Sequence, residues 1–425
     1  MTRRARESVA PEPDGVRNLP RNVWAASGAS FLTDISSEMI LNLLPLFLSN
    51  VLGVTTAVIG FVEGVAETTS SLLKLVAGRL SDRVGRKGLA VSGYAISTLA
   101  KPIFALAGSW PAVAGARWAD RVGKGVRTAP RDALVADSIS PGQRGLAFGF
   151  HRAADTGGAV VGLGIAIAVV WWVQGGGLAL ERQVFTKLVW ISLVPAVLGV
   201  LCLALGARET RGPDTRAAAD AAAPAPAVRG LGRPFLMFLV IVGVFELGNS
   251  ADAFLVLRAQ ERGLSVVEIL WVLLGFNAVY TVLSAPAGRL SDRVGRRPVL
   301  VAGWMLYAAV YLGFAVAEAP WHTAVLYAFY GAHYGLSYGT AKALVADLVP
   351  AERRGAAYGA YAATVGILDL PASLLAGVLW QGIGGWSGFG PAAPFWLGAG
   401  LAAVAAVALA LWRPPAAKAT KGTVP

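Results

Sequence analysis

Two ten-residue segments, GRLSDRVGRK at 78–87 and GRLSDRVGRR at 288–297, differ only in their last residue and lie 210 residues apart. The same offset relates ALVAD at 133–137 to ALVAD at 343–347, Arg144-Gly145 to Arg354-Gly355, Phe148-Gly149 to Tyr358-Gly359, and Glu67 to Asn277. One offset recurring over this length makes the chain two halves of a single topology. A stretch rich in Ala, Pro and Arg at 207–233 joins them and reads as a flexible linker.

Each half must also be a membrane bundle. A bilayer-spanning helix needs about 20 mostly apolar residues. Twelve such stretches follow one another, near 23–49, 54–77, 88–108, 112–137, 145–173, 188–206, 234–257, 266–287, 298–318, 321–347, 355–380 and 395–412. Only 15% of the 425 residues are charged and 55% are hydrophobic. That is too apolar for a soluble domain and excludes disordered and collagen-like chains. The lone Cys202 permits no internal disulfide. We therefore expect an all-α membrane protein of twelve transmembrane helices in two pseudo-symmetric six-helix bundles, 22–206 and 234–412. A basic tail at 1–21 and a second tail at 413–425 complete the chain. The first apolar stretch is too long and too polar for a cleaved signal segment.

Charge placement gives an orientation. With the N-terminus inside, inner segments hold 24 Lys and Arg, against four (Arg182, Lys187, Arg258 and Arg262) in outer loops. By the positive-inside rule both termini are expected in the cytoplasm of a cell whose plasma or inner membrane holds the chain. Trp110, Trp171, Trp172, Trp321 and Trp386 then fall at outer helix ends, where aromatic belts sit. The net charge of +12 is loop charge and implies no nucleic acid. Nine basic residues remain within the predicted helices: Lys74, Lys101, Arg117, Arg121, Lys124, Arg127, Arg131, Arg152 and Lys342. Each costs roughly 2.5–3.5 kcal/mol at a helix centre, so together they must pair or line a wet cavity.

Parallel repeats with a site at their interface are a transporter architecture. The repeated loop carries Gly78, Asp82, Arg83, Gly85, Arg86 and Lys87, and again Gly288, Asp292, Arg293, Gly295, Arg296 and Arg297. On these residues the whole chain resembles the major facilitator superfamily (MFS), and the resemblance implies that both loops act as conformational latches on the cytoplasmic side. The chemistry agrees. Gly78 lets helices approach, and Asp82 can pair with a cation or sit at a helix N-terminus. In the fourth helix Arg121, Gly123, Lys124, Gly125 and Arg127 resemble the superfamily's second motif, with Lys124 where many members carry Gln. The resemblance implies a part for Arg121 in proton transfer. The antiporter signature of the fifth helix is incomplete, because Asp155-Thr156-Gly157-Gly158 and Gly162 lack its proline.

The buried charges form constellations. Asp34, Glu38 and Asn42 make a polar stripe on the first helix, and Pro45 beyond it is expected to kink that helix. Glu63 and Glu67 stand one turn apart on the second. Two carboxylates so close in a low dielectric cannot both ionise cheaply, so one is suited to carry a proton. These acids serve coupling or substrate binding, or they neutralise the fourth helix and hold the half together. Arg117, Arg121, Lys124 and Arg131 share one face there, with Asp120 leading toward Lys124. They bind an anionic substrate or are the counter-charges of Asp34, Glu38, Glu63 and Glu67. His151, Arg152 and Asp155 lie within about one turn and read as a proton relay or as core packing.

The second half is different. At the repeat offset the cations become Tyr327, Gly331, Tyr334 and Ala341, and Tyr327, Tyr330, Tyr334 and Tyr338 line the tenth helix. Glu246, Asn249 and Asp252 mark the seventh. Aromatic faces with carboxylates suit organic cations, or the tyrosines are helix packing. No phosphate-binding loop, metal-ligand cluster or nucleophile–base pair stands out, so neither enzyme activity, cofactor nor metal is expected.

The expectation is a monomeric secondary transporter that binds a small molecule and protons. Asp34, Glu38, Glu63, Glu67 and Asp155 are the proton or cation sites, tuned by Arg121. The substrate cavity is expected among Asn42, Arg117, Lys124, Arg127, Arg131, His151, Arg152, Glu246, Asn249, Asp252, Asn277, Tyr327, Tyr330 and Tyr334. Export of a cationic or amphipathic solute by proton antiport is the first reading. Uptake of an organic anion on Arg121, Lys124 and Arg131 is the second, and a non-transporting sensor or lipid-handling protein the third.

Overall fold

A computed structural model describes residues 16–140, 143–210, 228–350 and 353–412. Most of the tail 1–21, the centre of the linker 207–233 and the tail 413–425 lie outside the described residues, as do the side chains of Asp82 and Arg83. The first six helices are α1 (Arg21–Val51), α2 (Thr56–Val84), α3 (Arg86–Leu106), α4 (Trp110–Asp137), α5 (Arg144–Gln174) and α6 (Arg182–Gly206). The second six are α7 (Arg233–Glu261), α8 (Val266–Val294), α9 (Arg296–Val316), α10 (Pro320–Leu348), α11 (Arg354–Gln381) and α12 (Ala393–Leu411). Among the described residues nine of these are long and apolar enough to cross a membrane. The three others, α2, α4 and α10, hold the charges and tyrosines singled out above.

Both first helices of the halves are broken, at positions related by the 210-residue offset. The regular part of α1 ends at Leu41, and a three-residue turn containing Pro45 and a π-helical end (Phe47–Val51) follow. Proline has no N–H to donate and its ring crowds the preceding turn, which accounts for the interruption. In α7 the helix stops at Gly248 and resumes at Ala253 without any proline. Residues 249–252 thus leave backbone groups free of helical bonding, and Ser373 Oγ of α11 takes the Ala251 N–H at 3.1 Å.

The repeated decapeptides are not loops. Each is helical up to Val84 or Val294, turns on one glycine, and continues as helix from Arg86 or Arg296. The turning residues Gly85 and Gly295 have φ of 102° and 97°, a region only glycine enters cheaply. Glu209, at the start of the linker, accepts from the backbone N–H groups of Arg86 (3.1 Å) and Lys87 (3.0 Å), capping α3. Arg86 bonds Asp137 and the Ala133 carbonyl, tying α3 to the end of α4. Arg296 pairs with Asp292 and lies 3.5 Å from Asp347, the same tie in the second half. Asp292 thus pairs within its own half in this structure. Gly78 stands at ordinary contact distance from Ala129, and Gly288 faces open space, so neither sets a close helix approach.

Arg258 corrects one loop assignment. It is 1% exposed inside α7, where its guanidinium donates to the carbonyls of Phe314 (2.9 Å) and Ala315 (3.0 Å) and pairs with Glu261. It satisfies the open carbonyl end of α9. The five tryptophans expected at one membrane face are all exposed at the end of the bundle opposite the termini.

The halves meet along α2 and α11 over the whole bundle. Thr56 Oγ1 donates to Gly377 O (2.8 Å) near one end and Thr68 Oγ1 to Gly366 O (2.6 Å) further along. A Cβ on Gly377 would lie 2.2 Å from the Thr56 carbonyl oxygen, so the two backbones touch. Close packing of this kind is what associates helices in lipid, where apolar burial gives little drive. Away from this seam, Arg152 of α5 donates to the Tyr280 hydroxyl of α8 at 3.1 Å.

At the end opposite the termini the halves are joined by a pair of amides. Asn50 Nδ2 donates to Gln260 Oε1 (3.0 Å) and Gln260 Nε2 donates to Asn50 Oδ1 (2.8 Å). Gln260 also donates to Leu178 O (2.6 Å), Asn50 accepts from Leu180 N (2.9 Å), and Val266 N reaches Gly177 O (3.2 Å). At the end that carries the termini, Arg152, Tyr338 and Lys342 are exposed.

Candidate functional site

Between the halves lies a chamber of about 430 Å³, lined by residues of α1, α2, α4, α7, α8, α10 and α11. The repeat offset reappears in its walls. Asn42 faces Asp252, Glu63 matches Leu273, Glu67 matches Asn277, Arg117 matches Tyr327, and Lys124 matches Tyr334, all ten lining the chamber. The two halves place their side chains at equivalent positions and differ in what they put there.

The wall from the first half is an ion-pair network. Arg117 donates to Glu63 Oε2 from Nη2 (2.6 Å) and Nε (3.2 Å), and Nη2 also reaches Glu67 Oε1 at 3.2 Å. Arg121 holds Glu67 at 3.1 Å and the adjacent Asp120 at 3.1 Å. Arg117, Glu63, Asp120 and Arg121 are each 5% exposed or less. Charges buried this deeply persist only when paired, because removing one partner strands the other in a poor solvent. Asp120 thus serves the arginines, its side chain facing Arg117 and Arg121, and the expected lead toward Lys124 is not made. Glu38 accepts from Asn42 Nδ2 at 2.7 Å. Lys124 lines the chamber with no ion pair or hydrogen bond to its ammonium among the described residues.

The wall from the second half contains no Lys, Arg or His. Asp252 stands at the break in α7 and accepts from the Tyr330 hydroxyl at 2.7 Å. Tyr330 and Tyr334 pack edge-to-face at 5.2 Å, and Phe276 of α8 packs on both, at 5.5 and 5.4 Å. Tyr327 completes the face. Asn249 donates to Glu246 Oε2 (3.0 Å) and accepts from the Tyr307 hydroxyl (3.1 Å). Asp369 of α11, which sequence reasoning missed, lines the chamber without a hydrogen bond or ion pair among the described residues.

Several expected cavity residues lie elsewhere. Arg131 follows Lys124 by seven residues, about 10 Å further along α4. It donates to Ser30 Oγ (2.7 Å) and pairs with Asp132 (2.8 Å). Arg127 turns toward α3, stacked 4.7 Å from the Tyr94 ring centre and bonded to Ser97 Oγ at 2.6 Å. The fifth helix contributes nothing to the chamber lining. Its polar residues and Asp34 sit around the α1–α5 contact, with His151 Nε2 3.7 Å from Asp155 Oδ1 and Nδ1 3.4 Å from Ser27 Oγ. At 3.7 Å the His151–Asp155 contact is not a hydrogen bond. Arg152 bridges to α8, and Glu246 is buried behind Asn249.

A two-fold repeated helical bundle with a polar chamber between its halves is the architecture of many secondary transporters. The family profile described as Major Facilitator Superfamily matches residues 26–257 and 237–425. An uncharacterized MFS-type transporter of Methanocaldococcus jannaschii is 34% identical over 386 residues, 89% of this chain and 93% of its own length. A probable 4-methylmuconolactone transporter of Cupriavidus pinatubonensis is 25% identical over 290 residues, covering 66% of this chain and 65% of its own. In structure, the nucleoside transporter NupG superposes with a TM-score of 0.74 over 92% of this chain and 99% of that one, at 13% identity. The chain belongs to the major facilitator superfamily.

Proposed function

We propose that this transporter moves a cationic or amphipathic small molecule outward in exchange for protons, working as a monomer in the plasma membrane with both termini in the cytoplasm. The observation that carries the reading is the second-half wall: Asp252 and Asp369 face the chamber beside Tyr327, Tyr330, Tyr334 and Phe276, with no cation in that wall. Lys74 of α2 acts on Asp369 from outside the lining, and no ion pair joins them. Aromatic faces and unpaired carboxylates favour an organic cation. A carboxylate without a fixed cation holds either a proton or a cationic ligand. Competition for one such group couples the two flows in opposite directions.

The ion pairs of the first half argue against the anion reading. Arg117 and Arg121 are held by Glu63, Glu67 and Asp120, and Arg131 lies away from the chamber, so the three-cation group it needed is not assembled. Of the acids named from sequence, Glu38 and Asp252 line the chamber without a cation, Glu63 with one and Glu67 with two. Thermal shift of the purified protein against organic cations and anions at two pH values tests the reading, since a ligand of the native state raises its stability by mass action. Cation stabilisation that grows with pH is expected. An anion effect that grows as pH falls overturns it in favour of proton-driven uptake. Reconstituted Asp369→Asn, which removes a chamber carboxylate that makes no ion pair among the described residues, should remain folded and lose flux driven by a pH gradient. Normal coupled flux would remove Asp369 from the coupling path, and no flux of any cargo in the parent would favour the sensor reading.

A further inference from the structure

In the chamber lining, the charges that make no ion pair among the described residues are Lys124 and Glu38 from the first half and Asp252 and Asp369 from the second, so the charges of the second-half wall are all acidic and the unpaired ammonium stands opposite them. On the α4 side, Lys124 is half-buried in the lining and its ammonium is unmatched. Of the acids of its own half in the lining, Glu63 is paired with Arg117 and Glu67 with Arg117 and Arg121, and Glu38 accepts from Asn42 and makes no ion pair with Lys124. On the other side, Asp252 has only the Tyr330 hydroxyl and Asp369 has no partner among the described residues. Lys124 and Tyr334 occupy the same position in the two halves, so the ammonium faces the aromatic wall across the pseudo-two-fold axis.

We propose that the solute is a zwitterion, its ammonium taken by Asp252 and Asp369 against the tyrosine face and its carboxylate by Lys124. This rests on the cation reading above and sharpens it. A plain amine would leave Lys124 as an unmatched positive charge beside a cationic guest. A molecule with an acidic group as well removes that repulsion and gains a charge-assisted hydrogen bond. The chamber, at about 430 Å³, is of the size that encloses small organic solutes.

The test is binding of matched pairs to the purified full-length protein: phenethylamine against phenylalanine, and putrescine against ornithine. Within each pair the second molecule is the first plus a carboxylate. In the parent protein the carboxylate-bearing member is expected to bind about tenfold more tightly, equivalent to about 1.4 kcal/mol. Lys124→Gln should abolish that preference, Lys124→Arg should keep it, and Asp252→Asn should weaken both members. Amines that bind as well as their amino acids in the parent, or a Lys124→Gln protein that retains the preference, overturn the zwitterion proposal and leave the cation reading standing. Binding of neither amine nor amino acid, with binding of acetate or benzoate, overturns the cation reading itself.

Discussion

Asn50→Leu should open the end of the molecule opposite the termini. The substitution keeps the side-chain size and removes three hydrogen bonds, two with Gln260 and one from Leu180 N. Gln260 keeps its bond to Leu178 O, and Val266 N keeps Gly177 O, so the contact is weakened and not erased. A typical intramolecular hydrogen bond contributes about 1 kcal/mol net; the Leu180 bond lies within the first half, so only the two with Gln260 count, about 2 kcal/mol for the closed arrangement. That is a change of about thirtyfold in the open-to-closed ratio. The α2–α11 seam, which runs the length of the bundle and at this end joins Thr56 to Gly377, is untouched, so the halves should pivot about it and not part. Spin labels on Gly108→Cys and Glu318→Cys, in a Cys202→Ser background, report the separation directly. These positions are equivalent in the two halves, exposed, and at the same end as Asn50. Electron–electron distance measurement should show a new, longer population in Asn50→Leu. An unchanged distribution in a folded protein would refute the claim that these amides hold the end shut.

Three further outcomes follow from the packing. Arg117→Met strands Glu63, which is 5% exposed, and should lower stability by about 3–5 kcal/mol, with partial recovery when Glu63→Gln is added; thermal unfolding of the single and double variants checks it. Gly377→Ala places a methyl against the Thr56 backbone and should cost about 1–3 kcal/mol or more. Gly275→Ala, with nothing within 4 Å of the added atom, should melt within about 0.5 kcal/mol of the parent.

The fold was legible because its signals are long-range and redundant: a constant offset, apolar stretches of bilayer length and charges sorted by side. The offset also pairs positions that line the same chamber from opposite halves, as Glu67 and Asn277 do. What it could not give was depth. Lys124 and Arg131 project on one helical face, and only the extent of the chamber along α4 separates them. Asp369 escaped notice as a single acid in an apolar helix whose repeat-related residue is Ala159. The α1 break was announced by Pro45, whereas the α7 break has no proline and depends on α11, whose Ser373 receives the freed Ala251 N–H. The decapeptides looked like loops because they are polar, yet a helix leaving the membrane can continue in water until a residue such as Gly85 turns it.

Asn50 and Gln260 are separated by the repeat offset itself, so they are one position seen twice. A residue at such a place, were the halves separate identical chains, would face its own duplicate across a two-fold axis. Most polar side chains make poor self-partners there. A carboxylate or an ammonium repels its copy. A primary amide carries a donor and an acceptor side by side and can pair with itself reciprocally. The contact therefore has the form that a symmetric dimer of half-length chains would need. It survives the divergence that made one wall of the chamber ionic and the other aromatic, which locates the conserved geometry at the closing end and the freedom to specialise in the chamber.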